Sequence, residues 1–452
     1  MFPLDSQSIT RHSVPFFPFE IRNLERERGY ILDHPVSGKH YEINFVAFEV
    51  LRLCNGVATY EEIVQELNRR HHIGGTEIRN RCAPLLRTLE RDGLLWWRTD
   101  RMQVASVGPP QFVLWNMTDR CNHRCQHCVI DASTALPDEL STLEGMRLLD
   151  ELASFGTRSL VLSGGEPLIR RDFFEIAAHA HRNGMTFQLA TNATFVTERV
   201  ANKIAAFSAS AQVSLDGSTP SIHDSFRGCP GAWKRTVRGI KNLVKTGTHV
   251  MLASTITKKN IDDIPRLYKL AGDLGVKVFR ILPFVPFGRG ARARMLEVQA
   301  DKMKEVTIWL HRQHCRGGLP VAPMEFQCLL APIDGKDSKN GSWRIGCDGA
   351  VAYCTVTSSG DVLPCNFFKG VRVHNVRRSP FHWIWDNCHF LQYFRSLTVN
   401  DIHGACHRCE WLSQCRGSCI AVNFVHGDLF QSNRHCWYAR ELERDGSANA
   451  AL

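Results

Sequence analysis

The chain has 452 residues, enough for two to four domains, and its hydrophobic fraction of 44% is ordinary for a globular protein. No apolar run approaches the length of a membrane span and the first residues lack the apolar core of a secretory signal, so we expect a cytoplasmic protein with no membrane partner. The net charge of +10 permits nucleic acid or an acidic peptide as partner, and seventeen cysteines in this context favour metal ligation over disulfides.

Residues 1–105 are predicted to form a small winged-helix-like module. Two short strands flank a turn in GYILDHPVSGKHYEIN, and three helices follow, the third over residues 75–92. Thr59 and Glu62 form a capping box at the start of the second helix. This content suits DNA binding through a recognition helix or binding of an extended peptide along a sheet edge. The third helix carries four arginines offset by two glutamates and an aspartate, so we expect no nucleic-acid partner.

The sequence LDHPVSGKHYEIN…FEVLRLCNGVATYEEIVQEL within residues 17–100 is similar to the recognition element of ribosomally made, post-translationally modified peptides (RiPPs). That module binds leader peptides and also occurs as the free peptide chaperone of pyrroloquinoline-quinone synthesis. The resemblance implies a precursor-peptide partner whose leader is held on residues 17–100. It further implies that the leader adds as a strand to the hairpin edge around Tyr30–Leu32 or Tyr41–Ile43.

Residues 106–290 alternate between strands and helices, and six such pairs predict a parallel sheet. After the first strand comes NMTDRCNHRCQHCVID, with Cys121, Cys125 and Cys128 spaced C-x3-C-x2-C. Soft thiolates favour zinc or iron–sulfur centres. Three cysteines leave one corner of an iron–sulfur cubane without a protein ligand, and an incomplete ligand shell is typical of a reactive metal site.

Further candidate residues follow the later strands, where α/β barrels place their chemistry. The segment Gly164, Gly165, Glu166, Pro167 ends the second strand, and its glycines let backbone approach a ligand closely while the carboxylate could accept from a cationic amine. A simple turn before a helix is the alternative. The other candidates are Thr191, Asn192, Ser214, Asp216 and Arg227. Two alternatives remain open: Asp216 could belong to a common turn, and Arg227 could form a surface ion pair.

The cluster loop, followed one β–α unit later by SGGEP, resembles the radical S-adenosylmethionine (SAM) superfamily. The resemblance implies a partial (β/α)6 barrel in which a [4Fe-4S] cluster on Cys121, Cys125 and Cys128 binds and cleaves SAM. It implies that the Gly164–Pro167 segment holds the amino group of SAM and that Thr191 and Asn192 lie near its ribose. Arg227 would pair with the SAM carboxylate, beside Ser214 and Asp216.

Residues 291–345 form a bridging region, and residues 346–452 carry a second cysteine array. The pattern C-x12-G-x4-C, then C-x2-C-x5-C-x3-C, then a final cysteine resembles the SPASM domain, which holds two auxiliary iron–sulfur clusters. The implied ligands of the first auxiliary cluster are Cys347, Cys354, Cys365 and Cys419. The implied ligands of the second are Cys406, Cys409, Cys415 and Cys436. Two ribbon-type zinc sites are the alternative.

Together these features predict a peptide maturase with three [4Fe-4S] clusters and SAM as cofactors. It would take an electron from a donor such as flavodoxin or ferredoxin and install an intrapeptide thioether or carbon–carbon cross-link. A peptide epimerase and a small-molecule oxidase acting on a haem precursor share the same catalytic core and stay open. A zinc-containing nucleic-acid binder is a further alternative.

Overall fold

The computed structural model describes residues 13–19, 21–24, 29–98, 101–102, 106–322, 344–371 and 373–449. In the N-terminal part the elements are β1 (Val14–Phe16), β2 (Ile21–Leu24), β3 (Gly29–Asp33), β4 (His40–Ile43), α1 (Phe45–Leu53), α2 (Tyr60–His71), α3 (Gly75–Arg91) and β5 (Trp96–Arg98). The predicted capping box at Thr59 and Glu62 is confirmed by both of its hydrogen bonds.

The predicted two-stranded hairpin is part of a three-stranded antiparallel sheet in the order β2-β3-β4. Strand β3 therefore has a partner on each side, and Tyr30–Leu32 is hydrogen-bonded into the middle of the sheet. The prediction that this segment could accept an added strand is wrong, because its edges are already paired. The alternative segment, Tyr41–Ile43, lies in the edge strand β4.

The central part alternates as predicted, and its six strands pair in parallel and in chain order. Its elements are β6 (Phe112–Asn116), α4 (Thr142–Phe155), β7 (Ser159–Ser163), α5 (Phe173–Arg182), β8 (Thr186–Thr191), α6 (Glu198–Ala205), β9 (Ser210–Ser214), α7 (Pro220–Arg227), α8 (Ala232–Lys245), β10 (Val250–Ile256), α9 (Ile264–Asp273) and β11 (Val278–Pro283). The α/β fold class is confirmed.

The sheet of the described chain is open and has nine strands, in the order β12-β11-β10-β9-β8-β7-β6-β13-β14. Strand β12 (Val321–Ala322) extends it beyond β11. At the other edge, β13 (Tyr353–Val356) pairs in parallel with β6 and in antiparallel with β14 (Val362–Leu363). A hairpin of the cysteine-rich region is thus built into the barrel sheet, and the predicted boundaries at 290 and 345 remain predictions.

The strands bury one face completely and leave the other accessible. On β6, Val113 and Trp115 are fully buried, and the Trp115 ring meets Gly145 of α4 under the helix layer. Alternate residues on the opposite face, such as Val161 and Gln212, are only half-buried. Closed eight-stranded barrels fill their interior with side chains. In this open sheet, side chains of β7 and β9 on the second face are only half-buried.

The C-terminal part contains α10 (Ala300–Cys315), α11 (Phe381–Asn387), α12 (His389–Ser396), α13 (Leu412–Cys415), α14 (Ala421–Phe424) and α15 (Trp437–Asn449). The N-terminal module packs directly on it. The Phe16 ring stacks on Tyr393 with centroids 3.9 Å apart. Arg98 and Asp401 form an ion pair of 3.1 Å whose side chains are 9% and 15% exposed. Within the described residues, no helix has the length and apolar character needed to cross a bilayer.

Candidate active site

The loop with Cys121, Cys125 and Cys128 follows β6 and is held by backbone hydrogen bonds from both sides. Cys121 N donates to the Ser133 carbonyl at 3.2 Å, which closes the loop on itself. Arg124 N and Gln126 N donate to the carbonyls of Arg227 and Phe226 at the end of α7, each at 3.1 Å. The loop geometry therefore depends on α7, which lies about a hundred residues later in the chain.

The three thiols of this loop lie close together and meet hydrogen-bond donors. Burial raises the pKa of Cys121 to about 12, and the neighbouring Cys125 and Cys128 raise it further. The sulfur of Cys121 accepts from His123 N at 3.4 Å, and that of Cys128 accepts from Ala132 N at 3.3 Å. Donors aimed at sulfur stabilise thiolates, the form in which cysteine binds metal.

This donor set suits a cubane better than a single metal ion. Among the described residues, no three His, Cys, Asp or Glu side chains converge closely enough to hold one ion. A cubane places each thiolate on a separate iron corner, so its ligands stand farther apart than those of a zinc ion. His123 is 2% exposed, and neither ring nitrogen has a hydrogen-bond partner in the described structure. The three loop thiols therefore fit a cubane with one open corner.

Gly164 and Gly165 bring the end of β7 against the cluster loop. Gly164 has φ +129°, and a Cβ there would stand 2.5 Å from the Thr118 carbonyl oxygen. A Cβ on Gly165 would overlap the Arg120 carbonyl oxygen. Backbone hydrogen bonds from Gly165 N to Thr118 O at 2.7 Å and from Glu166 N to Arg120 O at 2.9 Å join the two segments. The glycines are thus needed for backbone contact between the two predicted parts of the site.

Glu166 is fully buried and organises the end of the next strand. Its carboxylate accepts from the Thr191 hydroxyl at 2.7 Å and from Asn192 N at 2.8 Å. Burial raises the pKa of Glu166 to about 7, against these hydrogen bonds. The structure therefore joins Glu166 to Thr191 and Asn192 and places the carboxylate inside the fold. Their contacts with SAM remain predictions. Pro167 follows it and begins a short 3-10 turn.

Two polar residues that sequence reasoning missed connect this strand end to the cluster loop. Asn192 Nδ2 donates to Asn122 Oδ1 at 2.9 Å, and Asn122 Nδ2 donates to the Thr194 hydroxyl at 2.9 Å. Thr194 in turn donates to Asn192 Oδ1 at 2.6 Å. The only sequence signal for Asn122 is its position between the candidate ligands Cys121 and Cys125. The ring of contacts locks the loop against β8.

Asp216 and Arg227 form a buried ion pair beside the cluster loop. Arg227 Nε donates to Asp216 Oδ2 at 2.6 Å, and the other carboxylate oxygen accepts from Thr255 N at 2.8 Å. The surface-pair alternative for Arg227 is thereby excluded, because its side chain is 9% exposed. Ser214 ends β9 and is half-buried on the accessible face of the sheet. All three lie at the carboxyl end of the sheet, as predicted.

The second cysteine array brings one set of four thiols together. Burial raises the pKa of Cys415 to about 12, and Cys406, Cys436 and Cys409 add to the shift. Burial likewise raises the pKa of Cys409 to about 11, with Cys406 and Cys436 adding to it. The thiols are near neighbours although Cys436 lies 21 positions beyond Cys415. The assignment of these four thiols to the second auxiliary cluster remains a prediction.

The first set is only partly assembled. Gly346 N donates to the Arg416 carbonyl at 2.6 Å, which joins the Cys347 loop to the segment before Cys419. A Cβ on Gly349 would lie 3.5 Å from the Cys347 sulfur and 3.1 Å from the Pro364 carbonyl oxygen, beside Cys365. Three of the four segments therefore meet at one place.

Cys354 lies in a strand of the large sheet. It lies in β13, is fully buried, and has Arg395 as the charged group that acts on its pKa, which burial raises. Because β13 pairs with β6, Cys354 belongs to the packed core of the sheet. Its role as a fourth ligand of the first auxiliary cluster remains a prediction.

We expect Cys354→Val to keep the iron content of the anaerobically reconstituted protein, because valine fills a buried thiol site of similar size. Cys365→Ala should instead lose about four iron atoms per chain, the content of one cubane. Iron and sulfide analysis of the two variants beside the unmodified protein checks this. Equal iron loss in both variants would restore Cys354 as a ligand.

The remaining cysteines lie outside these groups. Cys54, Cys82 and Cys388 are buried, Cys315 is exposed, and Cys328 lies outside the described residues. Cys229 is half-buried after α7, and its sulfur accepts from Arg235 Nη2 at 3.2 Å. It is therefore a thiol next to the site that takes no part in the cluster loop.

Three family models match successive parts of the chain. The model of coenzyme PQQ synthesis protein D (PqqD) matches residues 29–95, that of the radical SAM superfamily residues 115–271, and that of the SPASM iron–sulfur cluster-binding domain residues 339–410. The second and third imply SAM and [4Fe-4S] clusters as cofactors, with auxiliary clusters in the C-terminal part.

The chain is also similar to curated proteins over about three quarters of its length. An AdoMet-dependent heme synthase of Methanosarcina barkeri is 32% identical over 74% of this chain and 98% of the relative. The mycofactocin maturase MftC of Mycobacterium tuberculosis is 30% identical over 70% of this chain and 80% of the relative. One of these relatives is named for heme and the other for mycofactocin.

Solved structures share the fold at low sequence identity. SuiB of Streptococcus suis bound to S-adenosylmethionine is similar with a TM-score of 0.61 and 16% identity, over 93% of this chain and 98% of that one. SuiB bound to its precursor peptide SuiA has a TM-score of 0.60 at 14% identity, over 95% and 99%. The anSMEcpe structure with bound AdoMet has a TM-score of 0.58 at 16% identity, over 75% and 97%.

Proposed function

Because the chain belongs to the radical SAM superfamily and carries a SPASM domain and a PqqD-like domain, we propose that it is a peptide maturase. It binds the leader of a ribosomally made precursor and installs a thioether or carbon–carbon cross-link in the core peptide. The proposal depends on one observation. The recognition module has an edge strand, β4, that no described strand covers, and the module packs against the C-terminal part of the same chain.

Different residues of the chain hold the cofactors and the substrate. SAM and its cluster, when bound, supply a 5′-deoxyadenosyl radical that abstracts a hydrogen atom. Cys121, Cys125 and Cys128 hold that cluster, while Gly164–Pro167 and Thr191–Asn192 shape the adjoining wall. We place the peptide segment on the half-buried face of the open sheet. The C-terminal cysteines hold auxiliary clusters that can accept the electron left by net oxidation.

The free edge of β4 can be assigned atom by atom. His34 N donates to the Lys39 carbonyl at 2.8 Å, so the hydrogen-bonded pairs of this hairpin continue at Leu32–Tyr41 and Tyr30–Ile43. Between them, the N–H and C=O of Glu42 point away from β3. In the described chain no strand pairs with this side of β4. A leader strand can therefore take its backbone hydrogen bonds from Glu42.

The packing of the module makes this edge useful for catalysis. The stacked Phe16 and Tyr393 rings and the Arg98–Asp401 pair join the module to the C-terminal part at several points. A leader on β4 is then tethered at a set distance from the barrel. Tethering raises the effective concentration of the core peptide at the cluster and compensates for weak contacts there.

The proposal is tested with short open reading frames encoded beside the gene, each co-expressed with the enzyme. One of these peptides is expected to lose the mass of two hydrogen atoms for each cross-link formed. Glu42→Pro should abolish both leader binding and the mass change, since proline has no N–H and its ring blocks strand addition. Glu42→Ala keeps the backbone donor and is expected to retain both activities. Peptide mass and binding affinity are the measurements.

Three outcomes would contradict this function. A product of unchanged mass but altered stereochemistry would indicate an epimerase. Conversion of a haem precursor instead of any peptide would favour the small-molecule alternative, and the 32% identity to a heme synthase makes this control necessary. Equal activity of Glu42→Pro and the unmodified enzyme would show that the β4 edge does not hold the leader.

A further inference from the structure

The guanidinium of Arg227 contacts a cluster ligand directly. Its Nη1 donates to the sulfur of Cys125 at 3.6 Å, and its Nε donates to Asp216 at 2.6 Å. Both Cys125 and Asp216 are buried, at 8% and 0% exposure. A positive charge therefore lies beside one thiolate of the loop, in a region from which water is largely excluded.

The surroundings leave this cation little freedom. Asp216 is held by Thr255 N at 2.8 Å, and its own N–H donates to His223 Nδ1 at 3.1 Å. The backbone of Arg227 is held by Arg124 N, and the next residue, Gly228, has φ +60° where a Cβ would meet the Arg124 carbonyl at 2.8 Å. The loop, the helix end and the carboxylate thus place the guanidinium against the sulfur.

We propose that Arg227 is a positioning residue that sets the reduction potential of the SAM-binding cluster through its contact with Cys125, rather than a residue whose main role is to bind the SAM carboxylate. One-electron reduction by an external donor adds one negative charge to the cluster and its thiolates, and no bond is formed. A cation beside a thiolate stabilises that extra charge, most strongly in a poorly solvated site. Asp216 opposes this effect while it holds the arginine in place.

The proposal gives opposite signs for two substitutions. Arg227→Gln removes the cation and should lower the reduced-to-oxidised ratio of the cluster at least tenfold. For one electron this equals a fall in reduction potential of about 59 mV. Asp216→Asn leaves the cation without its counter-charge and should raise the potential. The double variant should return towards the unmodified value. Arg79→Gln is the matched control, because Arg79 pairs with Glu61 between α3 and α2 of the N-terminal module, outside the cluster site.

The measurement is a dithionite titration of the reconstituted full-length protein without SAM, followed by electron paramagnetic resonance. The signal missing from Cys125→Ala identifies the SAM-binding cluster among the others. Iron content and melting temperature report whether each variant is folded and loaded. If Arg227→Gln does not bind its cluster, Asp216→Asn still tests the sign of the expected shift in reduction potential.

An unchanged potential in a loaded Arg227→Gln or Asp216→Asn protein would overturn the proposal, and so would shifts of the same sign in both. A loss of SAM affinity with no change in potential would return Arg227 to the role of a SAM carboxylate ligand. The inference depends only on the cluster at Cys125, so failure to modify any peptide would leave it intact.

Discussion

Cys125→Ala is expected to abolish the release of 5′-deoxyadenosine from SAM when the reconstituted protein is reduced with dithionite. The thiol is 8% exposed and accepts from the Arg227 guanidinium at 3.6 Å, and we expect no other cysteine to replace it as a ligand. A cluster with only two cysteine ligands is not retained in a form that binds SAM. Chromatography of the nucleoside product measures the effect, with iron content falling by about four atoms per chain.

Cys229→Ala is the matched control for this experiment. Its sulfur contacts Arg235 next to the site but not the cluster loop, so release of 5′-deoxyadenosine should match that of the unmodified protein. Product release by Cys125→Ala at the control rate would refute the assignment of the loop. Absence of product from the unmodified protein, once it is loaded and reduced, would refute the radical mechanism altogether.

Gly165→Ala is expected to slow 5′-deoxyadenosine release by about 100-fold, the cost of misplacing reacting groups by about 1 Å. The new methyl group would overlap the backbone carbonyl of Arg120, which cannot turn aside as a flexible side chain could. The same carbonyl accepts from Glu166 N at 2.9 Å. Relief of the clash must therefore separate the β7 end from the cluster loop.

Gly272→Ala provides the comparison for this second substitution. Gly272 lies in α9, and no atom stands within 4 Å of the position of an added Cβ. This variant should keep full activity and gain slightly in melting temperature, because alanine favours helix. The comparison uses the initial rate of product release at saturating SAM. An active Gly165→Ala protein would show that the two segments need not touch.

Short-range patterns carried much of the interpretation. The three loop cysteines, the SGGEP segment and the spaced C-terminal cysteines are recognisable because their chemistry needs particular residue types at short separations. The order of strands and helices could also be predicted, since a helix cap such as Thr59 acts on neighbouring residues. These features led to the family, the fold class and the cofactors.

Long-range pairing was not accessible in the same way. Nothing in the sequence around Tyr30 states that β2 occupies its free side, and nothing around Cys354 states that β13 joins β6. The contacts of Glu166 with Asn192 and of Arg227 with Cys125 join residues far apart in the sequence, so they form only in the folded chain. Such contacts depend on which elements share an edge, a choice set by the packing of the whole chain.

The sequence by itself therefore determined which chemistry the chain can support, through its cysteine spacing and its succession of β–α units. The tertiary structure alone decided which strand edge stays free for a leader, which cysteine is buried in the core, and which partner a buried arginine takes. The physical reason is one of range. Ligand spacing and capping are local properties, whereas an unpaired edge or a buried charge is defined by everything packed around it.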